Sequence, residues 1–276
     1  MSKVRALYID EDSPIHRLDG SVKFLMLIIW IASVFLFSDI RVFIIFLIGG
    51  FTLLKSAKIP FSEYKPLLIF IIIFTIFNSL FLIIVTPSYG TSLAGSSTEI
   101  LKIGTYVLTL ETIWFALTLS MKYLAVFPVM MMFVLATHPS KFASSLNKIG
   151  VSYRVAYAIN IALRYIPDVK DEFKNIMNAQ EARGVAFRKE DANIFIRLKN
   201  YNTILLPLIL SSLNRIEVIS IAMDLRGFGS KNKRTWYNSQ KYSMLDLMFF
   251  IGTILLLGLS IFIKNYYKIG FWYPFS

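Results

Sequence analysis

The chain has 276 residues, of which 56% are hydrophobic and only 17% charged, with a formal net charge of +12. Soluble domains are nearer 45–50% apolar and about 25% charged, and the Ile, Leu and Phe excess here falls in blocks, so membrane spans are expected and not a large soluble core. The absence of cysteine excludes disulfides, thiolate metal sites and cysteine nucleophiles; the positive charge reads as the Lys and Arg that membrane proteins keep in cytoplasmic segments, not as nucleic-acid binding.

From the N-terminus, the first twenty residues are polar and carry Asp10, Glu11 and Asp12, with no cleavable signal peptide. Five apolar segments follow. Phe24 to Phe37 and Val42 to Leu54 are separated only by Ser38-Asp39-Ile40-Arg41. Each is shorter than the roughly 20 residues that span a bilayer, so a tight helical hairpin is expected and full spanning stays open. Lys23 and Lys55 are expected to snorkel at one face. Pro66 to Val85 is long enough alone, and its Asn78 is expected to bond between helices. The connection from Pro87 to Thr112 reads as a Gly/Ser/Thr loop. Ile113 to Thr137 follows, interrupted by Lys122 and Pro128, and the fifth segment is Leu245 to Ile263.

Charge sets the expected orientation. With the N-terminus in the cytoplasm, residues 1–23, 55–65 and 138–242 lie inside and hold all but five of the 29 Lys and Arg residues, namely Arg41, Lys102, Lys122, Lys264 and Lys268. Long loops carry little topological weight, but the short segments and the flanks of the long one (Lys141, Lys148, Lys233, Arg234, Lys241) agree. The expected layout is an N-terminal membrane region at 1–137, a cytoplasmic helical region at 138–242 and a C-terminal span and tail at 243–276. The fold class is thus an all-α integral membrane protein with about five spans and about three helices between the fourth and fifth.

Those three helices have readable ends. One starts near Pro139-Ser140 and stops at Asn147 to Gly150. A second runs from about Ser152 to Arg183, before Gly184. A third follows Asn193, continues through Pro207 and ends at Arg226, before Gly227. The third contains an apolar run, Ile204 to Met223, with Asn214, Arg215 and Glu217 inside it. A charge at a bilayer centre costs about 2.5–3.5 kcal/mol, so this helix is read as interfacial. Pro167 and Pro207 lie within the long helices and could bend them.

A local repeat is the most informative feature. Ala179-Gln180-Glu181-Ala182-Arg183-Gly184 recurs 43 residues later as Ala222-Met223-Asp224-Leu225-Arg226-Gly227. An Arg in the last turn complements the helix macrodipole, and the Gly after it terminates the helix. One such pair is an ordinary cap. Two copies, each closing a long helix, suit docking on two similar partners, because a guanidinium fork can bridge a partner's carboxylates or carbonyls.

These residues resemble the tandem Ala-Arg-Gly motifs in the transmembrane T component of energy-coupling factor (ECF) transporters, an EcfT/CbiQ-like family. Ala162-Leu163-Arg164-Tyr165-Ile166-Pro167 before the first motif, and Leu205-Leu206-Pro207-Leu208 through Arg226-Gly227-Phe228-Gly229 and Arg234-Thr235, are similar to the family in the same order. Ser13-Pro14-Ile15-His16-Arg17-Leu18-Asp19, with Lys23, resembles its N-terminal motif. Two departures are Gly20-Ser21, where the family has Pro-Arg, and Leu225, where it has Ala.

The resemblance implies a scaffold that couples ATP hydrolysis elsewhere to movement of a partner. Two ABC-type ATPase subunits would dock at Ala182, Arg183, Gly184 and at Leu225, Arg226, Gly227. A small membrane S component would bind the vitamin or trace metal in the cell membrane of a prokaryote. A shared module serving several S components is expected; a dedicated cobalt, nickel or biotin system is the alternative. No G-x-x-x-x-G-K-[ST] sequence occurs, so the chain does not itself cradle nucleotide phosphates, and neither an enzymatic activity nor a cofactor is expected. His16 and His138 lack ligand-like spacing, so no metal site is expected. A membrane-embedded enzyme would have to use His138 with Asp168 and Asp171. A self-sufficient carrier would show its repeat in the spans. Lys122 remains either an intramembrane functional group or a packed, snorkelling side chain. The stripe Val155, Ile159, Ala162, Ile166, Val169 leaves one side of its helix polar and suits core packing, a protein groove or the membrane interface.

Overall fold

A computed structural model of the chain describes residues 8–9, 11–95, 97–103, 106–187, 193–230, 235–236, 242–267 and 270–274. Arg234, Lys233, Lys241, Lys268 and Asp10, used above, lie outside the described residues. Contacts divide the chain into two compact units, one formed by Pro139–Ser239 and the other by Leu7–His138 with Gln240–Ser276.

The second of these units holds α1 (Pro14–Arg17), α2 (Gly20–Phe35), α3 (Ile40–Ser56), α4 (Phe61–Val85), α5 (Tyr89–Ala94), β1 (Glu99–Ile103), β2 (Tyr106–Thr109), α6 (Leu110–Ala136) and α10 (Met244–Tyr267). By length and composition α4, α6 and α10 can each cross a membrane, and α2 is a shorter apolar helix. At 1.5 Å per residue α2 is about 24 Å long, short of a roughly 30 Å hydrocarbon core. The α2–α3 pair is not the tight hairpin that its short link suggests. Helix α2 packs chiefly on α10 and α6, while α3 packs on α6. The core between them is built from Trp30, Val34, Phe37, Phe43, Met132 and Leu135. Trp30 Nε1 donates to the Ala125 carbonyl (3.0 Å), which gives the indole the partner that burial demands.

The loop after α4 carries more structure than its composition suggests. Helix α5 leads into an antiparallel pair, β1 with β2, in register from Ile103 opposite Tyr106 to Glu99 opposite Thr109, with an irregularity between Glu99 and Leu101. Gly90 sits so close to α6 that a Cβ there would lie 2.3 Å from the backbone of Glu111 and Thr112; only glycine fits. Between α4 and α6 the bonding residue is Ser79, not Asn78. Ser79 Oγ meets Ser120 Oγ at 2.8 Å and donates to the Ala116 carbonyl at 3.3 Å.

Lys23 does not snorkel. It is 2% exposed, and its Nζ donates to the carbonyls of Ala136 (2.7 Å) and His16 (3.3 Å). The terminal carbonyls of α6 have no helical partner of their own, so a buried cation is stabilised there where water would otherwise be required. Lys55, at the end of α3, is exposed.

The other unit holds α7 (Pro139–Lys148), α8 (Tyr153–Ala182) and α9 (Ile194–Leu225), with the boundaries that the glycine stops and caps predict. Both long helices run unbroken through Pro167 and Pro207. Helix α9 is also long and apolar enough to cross a membrane. However, it pairs along its length with α8, whose Asp168, Lys170, Asp171 and Lys174 are exposed. A spanning α9 would draw that charged helix into hydrocarbon.

Candidate docking ends of the long helices

Both Arg-Gly motifs fold into the same helix end, bond for bond. At the first, Gly184 (φ 84) donates to Glu181 O at 2.9 Å and Val185 to Gln180 O at 3.1 Å. At the second, Gly227 (φ 65) donates to Asp224 O at 2.9 Å and Phe228 to Met223 O at 2.9 Å. These are Schellman ends, with the glycine left-handed at the position after the cap. Arg183 (φ −87, ψ 6) and Arg226 (φ −86, ψ 8) occupy the cap position itself.

Helix α7 supplies an internal control. It ends in the same way, with Gly150 (φ 110) donating to Asn147 O at 3.2 Å and Val151 to Leu146 O at 3.1 Å, and its cap position is Ile149. The geometry therefore does not ask for arginine. Arg183 and Arg226 are exposed, as are Ala182, Gly184 and Leu225, while Gly227 is half-buried. Leu225 is 85% exposed, so the leucine found where the resemblance has alanine is almost uncovered among the described residues.

The 43-residue repeat is a property of the whole helix pair. Glu172 of α8 accepts hydrogen bonds from Ser211 and Arg215 of α9, and Arg215 lies 43 residues from Glu172. Arg154 Nη2 donates to the carbonyl of Gly229 (3.2 Å), just past the second motif. Arg197, 43 residues after Arg154, donates through Nε to the carbonyl of Phe187 (2.8 Å), just past the first. Each helix thus begins with an arginine that clasps the loop leaving the other helix, and equivalent residues meet only at the middle. That is the signature of an approximate two-fold relation between antiparallel helices. It places Arg183 and Arg226 at opposite ends of a pair about 45 Å long, at 1.5 Å per residue.

Aromatic groups brace each end. Phe228 packs at a tilt against Tyr157 with centroids 4.8 Å apart, and Trp236 meets Tyr153 edge-on at 5.7 Å; the Trp236 indole donates to Asn147 Oδ1 at 3.2 Å. At the first end Phe187 meets Tyr201 at 5.5 Å, and Asn200 donates to the Ala186 carbonyl at 2.8 Å. The stripe on α8 is not core: Val155 is 51% exposed and Ile166 59%. On α9, Leu206, Leu213, Ile216 and Val218 are similarly open.

The other sequence-predicted residues separate from this arrangement. Lys122 lies in α6 with its Nζ 4.6 Å from the Phe35 ring centroid and 5.8 Å from that of Phe43, a cation–π setting. His138 meets the Tyr8 ring edge-on at 5.1 Å. Asp168 and Asp171 line an open cavity with Glu172 and Arg215. Among the described residues no group of three or more His, Asp or Glu could hold a metal.

The N-terminal motif forms a buried polar node. Ser13 caps α1 and bonds His16 Nδ1 at 2.8 Å; Asp19 caps α2 through Ser21 N (2.9 Å) and Oγ (2.6 Å). Gly20-Ser21, where the resemblance has Pro-Arg, therefore keeps the cap. Asp246, at the start of α10, accepts from the backbone of Asp19 (2.7 Å) and of Ser243 (2.7 Å). Sequence reasoning passed over Asp246, and its position in the first turn of a span was the only available signal.

Comparison with known proteins places this geometry. The family model for cobalt transport proteins, CbiQ, matches residues 11–237. The chain is similar to the energy-coupling factor transporter transmembrane protein EcfT of Clostridium kluyveri, 28% identical over 266 residues, covering 92% of this chain and 94% of that one. It is also similar to the proteins of the same name from Streptococcus equi (26% over 267 residues, 92% and 94% covered) and Lactococcus lactis (28% over 261 residues, 90% and 93%).

Proposed function

This chain belongs to the CbiQ family, and from that premise we propose that it is the transmembrane coupling subunit of an energy-coupling factor importer. Its relatives bear the name of that component. In this reading α8 and α9 lie on the cytoplasmic side of the cell membrane, with the N-terminus inside. Two ATPase subunits dock at the ends marked by Arg183 and Arg226. ATP hydrolysis belongs to those subunits, and the chain contributes no catalysis of its own.

The observation that carries the reading is the pair of matching helix ends with arginine at a cap position that α7 fills with Ile149. An exposed guanidinium that its own helix does not need is suited to a partner's carboxylate or carbonyl groups. Two of them, about 45 Å apart and related by an approximate two-fold, suit a pair of similar subunits. When those subunits close on ATP, the ends are pulled together or tilted, and the helices act as levers. The open apolar faces of α8 and α9 offer the surface on which a small, hydrophobic S component rests, and that component selects a vitamin or trace metal. A shared module serving several S components is the form proposed, with a dedicated cobalt, nickel or biotin system as the alternative.

The test is co-purification in mild detergent. Arg183→Ala combined with Arg226→Ala is expected to abolish ATPase association while the protein stays in the membrane at normal level. Stoichiometric ATPases together with retained uptake in that double variant would sink the assignment.

A further inference from the structure

The two docking ends share a backbone but not their surroundings. Beside the second end, α8 and α9 enclose a cavity of about 250 Å³ lined by Tyr157, Asn160, Arg164, Met223, Arg226 and Phe228, among others. Two arginines face one cavity, and none of its described lining residues is acidic. Among the described residues Arg164 has no carboxylate partner. Asn160 lines the same cavity, and its Oδ1 is buried without a hydrogen-bond partner among them. The carboxylates of α8 lie elsewhere: Asp168, Asp171 and Glu172 line a separate cavity with Arg215.

The 43-residue offset shows what the first end has instead. Arg164 corresponds to Pro207, Asn160 to Thr203 and Phe228 to Val185, while Arg226 corresponds to Arg183. Tyr157 corresponds to Asn200, whose amide is engaged with the Ala186 carbonyl. Among the described residues, the counterparts of this cavity at the first end therefore hold one guanidinium where the second end holds two, together with an amide and aromatic walls.

We propose that the cavity at the second end is an acceptor for a carboxylate side chain of the docked ATPase, held between Arg164 and Arg226, and that the first end has no such contact. The inference rests on the docking reading above and adds Arg164 as a residue that distinguishes the ends. A glutamate fits the cavity's make-up. Its methylenes lie against Tyr157, Met223 and Phe228, and its head meets two guanidinium forks, which bind carboxylates in a bidentate manner and remain charged. Asn160 can turn its carboxamide to add a donor. The cavity adjoins the docking end itself, since Arg226 belongs to both, so a protein side chain delivered by the docked partner is the occupant favoured over a free anion.

The experiment uses the full-length chain in nanodiscs with its S component and its two ATPase subunits. Binding of the ATPase pair is measured at several KCl concentrations for Arg164→Gln, Arg226→Gln and Arg183→Gln, with thermal melting of each variant alongside. Arg164→Gln is expected to weaken binding about tenfold, as the loss of one charge-assisted pair would, and to flatten its salt dependence without lowering the melting temperature. Arg164→Lys is expected to keep most of the affinity. In the assembled complex, a carbodiimide is expected to link the lysine introduced at 164 to an Asp or Glu of one ATPase. Unchanged affinity and salt dependence in Arg164→Gln, with Arg226→Gln and Arg183→Gln both weakened, would overturn the two-arginine acceptor and leave the docking reading standing. A crosslink from position 164 to the S component would overturn the ATPase as occupant. If neither Arg183→Gln nor Arg226→Gln weakened binding, the docking reading itself would fall.

Discussion

The two units of this chain are built on opposite principles. In the unit formed by α1–α6 and α10, a core forms where α2, α3 and α6 meet: Val34 and Met132 are fully buried and Phe43 is 1% exposed, whereas α4 buries only Thr75. It also holds a buried and paired polar node of Ser13, His16, Asp19, Lys23 and Asp246. In the unit of α7–α9, the 30 residues of α8 bury only Tyr153 and Ala156, and the 32 residues of α9 bury only Ile204. A helix pair with so little core is held at points: the aromatic cluster at one end, the Glu172–Arg215 pair in the middle, and the clasps of Arg197 and Asn200 at the other. Surface that a chain leaves apolar along two long helices is surface that something else covers. The first unit is thus a body and the second a pair of arms, and the same kind of substitution should act differently in each.

The largest effect is expected at the body's buried node. Lys23→Ala removes a side-chain donor to the Ala136 carbonyl and leaves a cavity where the lysine stem packed. Losing a charged hydrogen-bond donor at a buried site costs about 3 kcal/mol. Thermal unfolding of the purified chain in detergent should shift down by several degrees, and accumulation in the membrane should fall. A variant with unchanged melting would mean that the node merely coincides with the core and does not hold it.

A middle-sized effect belongs to the arms. Glu172 holds Ser211 and Arg215 from across the pair, in a setting that is one-fifth to one-third exposed. Glu172→Ala should cost about 1–2 kcal/mol, too little to unfold the body. What it should loosen is the coupling of one arm to the other, so that ATPases still co-purify while uptake per ATP hydrolysed drops. Exchanging the pair, Glu172→Arg with Arg215→Glu, should restore much of that coupling. If the exchange were no better than the single change, the midpoint contact would have no role as a pivot.

How far the sequence spoke for itself follows the same division. The arms were legible because their signals are local. Gly150, Gly184 and Gly227 mark helix ends, and the 43-residue echo needs only the chain itself to be seen. Even so, the echo extends to Arg154 and Arg197, which was hidden because their partners are carbonyls without any side-chain signature. The body was legible as apolar blocks but not in its connections. Asp19 and Asp246 are 227 residues apart, and no periodicity announces such a bond. Lys23 looked like a snorkelling lysine because snorkelling and burial differ only in which helix end lies opposite. The hairpin of β1 and β2 was masked by its Gly, Ser and Thr neighbours, which are turn formers at either side of strands as well as in loops.

The smallest effect is expected at the proposed docking ends of the arms. Gly184 is left-handed at φ 84, and a Cβ there would find nothing within 4 Å, so the need for glycine is conformational and not spatial. Gly184→Ala should therefore cost about 1 kcal/mol and leave melting nearly unchanged, because the helix end can unwind into solvent. Unwinding moves the Arg183 guanidinium off the cap position, however, and that is where the proposed docking geometry is set. Binding of the ATPase pair should weaken several-fold in Gly184→Ala although Arg183 is still present. The same change in the body, at Gly90, meets backbone at 2.3 Å and has no such escape. Full affinity in Gly184→Ala would show that the first end docks through its charge alone, and that the matching Schellman geometry of the two ends is an ordinary way to stop a helix.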